Sequence, residues 1–144
     1  MKVPFLIPIV LAISLAVLAQ TGDKAMPPAA AKAAFAKAFP GAEKAKWEKE
    51  KKGYEVEFSL GGKQMSAVYD KTGAIKETEE DIKTDALPAA VVSYVKTHYP
   101  KETIKEAAKI TLPNGELNYE AEVNKRDLIF DANGKFIREE KDVD

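Results

Sequence analysis

The sequence predicts an α+β fold, in which two tandem α-β-β-β-β repeats form one curved antiparallel sheet with both helices on one face. Three observations carry this. The chain duplicates itself: Pro28, Phe39 and Pro40 return as Pro88, Tyr99 and Pro100, each 60 positions on, and Tyr69-Asp70-Lys71-Thr72-Gly73 returns as Phe130-Asp131-Ala132-Asn133-Gly134 at 61. In each copy the hydrophobic period changes from near 3.6 to 2, the change from an amphipathic helix to half-buried strands. Turn residues then interrupt the alternating stretch at strand-length intervals.

The first residues set the export expectation. Met1-Lys2-Val3 is a short basic start, Phe5 to Leu18 is almost wholly apolar, and Val17 and Ala19 are small enough for the −3 and −1 positions of a cleavage site. Residues 1–19 read as a signal peptide. A helix rising about 1.5 Å per residue spans roughly 21 Å over that apolar run, short of the roughly 30 Å hydrocarbon core. Residues 20–27 read as a flexible leader.

Order is expected from Pro28, because proline suits a first helical turn whose N–H has no intrahelical partner. Ala31, Phe35 and Phe39 recur every four residues on one helix face, and Val91, Val95 and Tyr99 repeat them behind Pro88. Both helices should stop before Pro40 and Pro100, which push the preceding residue out of the α region.

Strands follow. Tyr54, Val56, Phe58 and Leu60 alternate with Glu55, Glu57 and Ser59, and Tyr119, Ala121 and Val123 alternate with Glu120, Glu122 and Asn124. One side covered by helices and the other wet is the arrangement this pattern describes. Turns at Lys52-Gly53, Gly61-Gly62 and Lys71-Thr72-Gly73 divide strands near 44–51, 54–60, 63–70 and 74–80. Pro113-Asn114-Gly115, Asn124-Lys125 and Ala132-Asn133-Gly134 bound strands near 105–112, 117–123, 126–131 and 135–140. The connector near Thr84-Asp85-Ala86 is too short for the halves to tumble separately. Residues 28–143 therefore read as one domain made of repeat 28–82 and repeat 88–143.

Composition excludes several functions. Without residues 1–19 the chain loses one lysine from a net charge of −1, leaving −2. No cationic surplus exists for nucleic acid or an anionic membrane. The absence of cysteine removes disulfides, thiolate zinc and a cysteine nucleophile. His98, the single histidine, lacks partners for a metal site or triad, and helix C-terminal polarity or partial packing suits it. Ser59, Ser66 and Ser93 lack a nucleophile elbow. Asp70-x-x-Gly73 and Asp131-x-x-Gly134 have the spacing of tight turns rather than calcium loops.

The recurring pairs Glu55/Glu57 and Glu120/Glu122 are the candidate chemistry. They point away from the helices and admit cross-strand pairing with Lys46, Lys63, Lys76 or Lys125, a binding surface, or acid–base work. Trp47 on the first strand belongs either to the core beneath Phe35 and Phe39 or to a binding surface as an exposed anchor.

A helix opened by Pro28 and closed by Phe39-Pro40-Gly41, Trp47 on a strand, Tyr54-Glu55-Val56-Glu57-Phe58 and then Tyr69-Asp70-x-x-Gly73 form a succession that resembles the PepSY-like family, also described as β-lactamase-inhibitor-like. The resemblance covers residues 28–143. It implies an exported bacterial protein with two helix-plus-four-strand units sharing a concave sheet, and it brings no catalytic motif with it. The second copy departs from the pattern at Pro100-Lys101, and the place of Trp47 falls near Ala107 or Ala108.

The functional expectation is a periplasmic or secreted, non-catalytic module that engages or inhibits another envelope or secreted protein through its concave sheet face. Glu55, Glu57, Glu120, Glu122 and Trp47 are its candidate partner-binding residues. No catalytic residue, metal, cofactor, nucleic-acid partner or stable membrane anchor after cleavage is expected. The alternative is a periplasmic sensor of a small ligand or cation.

Overall fold

A computed structural model describes residues 26–51 and 53–141, so the expected signal peptide and most of the leader lie outside the described residues. Helix α1 (Ala29–Ala38) is followed by β1 (Glu43–Glu50), β2 (Gly53–Leu60), β3 (Lys63–Tyr69) and β4 (Ile75–Ile82). A 3₁₀ turn (Thr84–Ala86) leads into α2 (Ala89–His98), β5 (Ile104–Thr111), β6 (Leu117–Val123), β7 (Arg126–Asp131) and β8 (Phe136–Lys141). All eight strands form one antiparallel sheet in the order β1 to β8. Pro27, read from sequence as leader, is buried, so packing begins one residue before the expected start.

Both helices begin after a proline and end at an aromatic residue whose N–H returns to the helix, Phe39 to Phe35 O at 2.9 Å and Tyr99 to Val95 O at 2.8 Å. Strand ends fall within two residues of expectation. β4 runs on to Ile82 because Asp81 and Ile82 pair with Ala108 and Ala107 of β5, the seam that makes two meanders one sheet.

Two apolar cores lie on the helix-bearing side. Ala31 and Phe35 of α1 close over Val56, Phe58, Ala67 and Tyr69. Val91 and Val95 of α2 close over Ala107, Ala121, Val123, Leu128 and Phe130. The Tyr69 hydroxyl is buried with no hydrogen-bond partner among the described residues. Phe130 fills the equivalent place in the second repeat, so Tyr69→Phe should raise stability by roughly 1 kcal/mol in urea melts, because it removes an unpaired buried polar group. A loss of stability would mean that the hydroxyl is solvated.

The two Asp-x-x-Gly segments are turns of one design. Asp70 Oδ1 accepts the N–H groups of Thr72 and Ala74 at 2.8 and 3.1 Å. Asp131 Oδ1 accepts those of Asn133 and Lys135 at 2.8 and 2.9 Å. The Thr72 hydroxyl, which also donates to Asp70 Oδ1, is the first cause that holds the Asp70 carboxyl well below the usual carboxylate range, and its two backbone bonds and the Lys76 ammonium at 3.3 Å add to it. The glycines also let each helix approach its turn. A Cβ on Gly73 would stand 2.8 Å from the Ala30 carbonyl, and one on Gly134 would stand 2.7 Å from Ala90 Cβ, both at positive φ. Alanine at either position should therefore destabilise by at least about 1–2 kcal/mol from backbone conformation alone. An unchanged denaturation midpoint would refute both the left-handed conformation and the close helix approach at these turns.

Candidate functional site

Because side chains alternate along each strand, the register states which residues share the face opposite the helices. Lys46, Glu57, Ser66, Glu79, Ile110, Asn118 and Asp131 lie side by side from β1 to β7. Beside them run Glu48, Glu55, Val68 and Glu77. On the other flank run Asp81, Ala108, Glu120, Ile129 and Arg138, then Glu122, Asp127 and Glu140. The four glutamates singled out from the sequence are thus on one surface. Trp47 is not. It pairs with Val56 on the helix-bearing side, its ring 5.6 Å from Phe35 and 5.8 Å from Tyr69, because its large apolar ring completes the first core. Ala107 holds the corresponding place in the second repeat, judged from Ala107 opposite Ala121 as Trp47 is opposite Val56.

No helix covers this face among the described residues, yet its middle is not fully wet. Val68, Ala108, Ile110 and Ile129 are buried, as the inner surface of a curved sheet allows when side chains from neighbouring strands converge. That burial desolvates the carboxyls among them. Burial is the first cause that pushes Glu120 up to about 8, and the charges of Glu79, Asp127, Glu140 and Glu77 add to it. Burial also raises Glu55, reinforced by Glu50, Glu57 and Glu48.

Charge is segregated by face. Lys63 and Lys109 reach Glu80 at 2.7 and 3.9 Å, and Arg126 reaches Glu139 at 3.7 Å, all on the helix-bearing side. Lys63 therefore does not pair with the nominated glutamates, and Lys76 serves Asp70 instead. Lys46 does stand opposite Glu57. Lys46 and Arg138, the cations in the rows above, sit on the edge strands β1 and β8. The sequence reading left out the acids of β4, Glu77, Glu79 and Asp81. Their i, i+2 spacing matches that of the glutamate pairs and would have marked them.

A carboxyl that keeps its proton near neutral pH suits acid catalysis. The groups whose charge acts on Glu120 are all carboxylates. His98 cannot assist, since it lies on α2 behind the sheet, with Nδ1 2.9 Å from Tyr94 O and its ring stacked on Tyr94 at 3.9 Å. An open groove beside α2 is lined by Ala90, Ser93, Tyr94 and Phe136 among others, with the rings of Tyr94 and Phe136 stacked at 4.9 Å.

The family model described as "Putative beta-lactamase-inhibitor-like, PepSY-like" matches residues 21–76 and 62–138. No curated protein matches the chain. Among solved structures it is similar to a BLIP-like protein from Bacteroides fragilis, at 24% identity over 83% of this chain and 89% of that one, with a TM-score of 0.61. It is also similar to a DUF2874-family protein from Bacteroides uniformis, at 21% identity over 78% and 88%, TM-score 0.67. A structure from Bacteroides eggerthii described as of "putative periplasmic proteins" aligns at 18% identity over 78% and 87%, TM-score 0.67. At these identities the likeness is one of fold.

Proposed function

Since this chain belongs to the PepSY-like family, we propose that it is an exported, non-catalytic binding module whose helix-free sheet face engages, and in that way restrains, another envelope or secreted protein. The observation that carries the reading is that face itself: a broad surface of eight strands, uncovered among the described residues, with carboxylates drawn from both repeats. A polar surface of this kind suits a shape-selective protein contact better than an enclosed small-molecule site does. The family description, with its reference to an inhibitor, favours a hydrolase among possible partners. The apolar run Phe5–Leu18 and the periplasmic description of a similarly folded structure favour a location outside the cytoplasm.

The test is capture from envelope extract by the wild-type protein and by Glu57→Lys/Glu122→Lys, which reverses one charge in each repeat. Glu57 is exposed and Glu122 half-buried, so folding should survive with a loss within about 1 kcal/mol. A partner held by wild type and released by the variant is the expected result. Identical capture by both proteins would refute binding through this face.

A further inference from the structure

We propose that the middle of the helix-free face, bounded by Glu79 on β4, Asn118 and Glu120 on β6 and Asp127 on β7, is the seat of a lysine or arginine side chain presented by a protein partner. The inference rests on the binding reading above and names the chemistry of the partner.

Asn118 is the observation that singles out this spot. It is 5% exposed, stands on this face between Ile110 and Asp131, and its Oδ1 is buried without a hydrogen-bond partner among the described residues. Neighbouring Asp131 is engaged in its own turn, where its Oδ1 accepts two backbone N–H groups. An orphaned acceptor of this kind is costly in isolation and is satisfied by an incoming donor. Two residues along β6 lies Glu120, on which the charges of Glu79 and Asp127 act from β4 and β7. The Asn118 Oδ1 and the carboxyl groups of Glu79, Glu120 and Asp127 gather acceptor oxygens here, and an ammonium or guanidinium brings only donors, three or five of them, together with a positive charge that favours release of the Glu120 proton. Ala108, Ile110 and Ile129 lie between the acids as an apolar floor suited to the methylene stem of such a side chain.

The sign of the charge excludes the other large partners. Phosphate backbones and anionic headgroups would be repelled. Three metal-ligating side chains do not converge anywhere among the described residues. The acid rows also extend from β2 to β8, so a protein segment adds the hydrogen-bonding groups of its backbone and neighbouring side chains to the attraction of its cation, which a free polyamine does not.

The test uses blocked octapeptides of alternating Lys and Ser, Arg and Ser, or Glu and Ser, with spermidine as the polyamine control. Each is titrated into the isotopically labelled protein and followed by amide NMR. The Lys or Arg peptide should saturate, perturb residues 77–81, 118–122 and 127–129, and bind at least tenfold more weakly to Glu79→Gln/Glu120→Gln. Asn118→Leu should weaken binding severalfold without lowering the melting temperature, an outcome that a purely structural asparagine would not produce. Spermidine binding as tightly as the peptides, perturbations scattered over the rim, or unchanged affinity in the variants would each overturn the proposal. Should the captured partner depend on Glu57 and Glu122 while the cationic peptides neither bind nor compete with it, the cationic seat fails and the binding face stands. If capture is independent of the face, the binding reading itself fails.

Discussion

Replacing Glu120 by glutamine should stabilise the protein at pH 8 and flatten its stability profile between pH 5 and 9. The carboxyl titrates at about 8 in the folded chain against 4.5 ordinarily, chiefly because it is desolvated. Between those values the native state holds a proton that the unfolded chain has already released. Stability therefore falls as pH rises through the window, and the full cost is present above pH 8. At about 1.36 kcal/mol for each tenfold change in proton affinity, the difference is at most about 5 kcal/mol, and water reaching the carboxyl from the open side reduces it. Glutamine keeps the shape and removes the charge. Urea melts of both proteins at pH 5, 7 and 9 check this: wild type should lose stability across the series and the variant should lose much less. A residual slope of the same sign is expected, since Glu55 is raised for the same reason. Parallel profiles would mean that Glu120 is solvated.

Phe35→Ala should be the most damaging single truncation in helix α1, costing roughly 3–5 kcal/mol. Helix α1 buries only Ala31 and Phe35, so Phe35 holds most of its contact with the sheet. Its ring lies 5.0 Å from Phe58, 5.6 Å from Trp47 and 5.7 Å from Phe39, contacts that alanine cannot replace. The equivalent change in the second repeat, Val95→Ala, removes a smaller side chain and should cost roughly 1.5–2.5 kcal/mol. Comparing the two urea midpoints tests both helices at once. Equal losses, or none at Phe35, would show that α1 is not anchored as described.

These residues illustrate how much could be read in advance. Phe35 was legible because helical periodicity is local: residues four apart meet whatever else the chain does. The same holds for Glu55 with Glu57 and Glu120 with Glu122, since alternation assigns a face from neighbouring residues alone. Trp47 was ambiguous, because a large aromatic ring at a strand position serves a core or an interface equally well. Its place under Phe35 depends on how the chain folds back. The lysines misled for a related reason. A chain of nearly balanced charge looks neutral along its length, but alternation sends Lys63 and Lys109 to one side of the sheet and Glu79 and Glu120 to the other.

By itself the sequence determined the duplication, the helices, the strands, their turns and the assignment of each strand residue to one of two faces, because all of these follow from spacing within a few residues. Only the tertiary structure decided which strands lie side by side, and so which carboxylates share a neighbourhood. The seam between β4 and β5 places Glu77 and Glu79, some forty positions from Glu120 in sequence, close enough for their charges to act on it. Burial of Ile110, Asn118 and Ile129 beside them removes the water that would otherwise screen the repulsion. Desolvation and charge repulsion depend on distance in space, and distance in space is what local spacing does not contain.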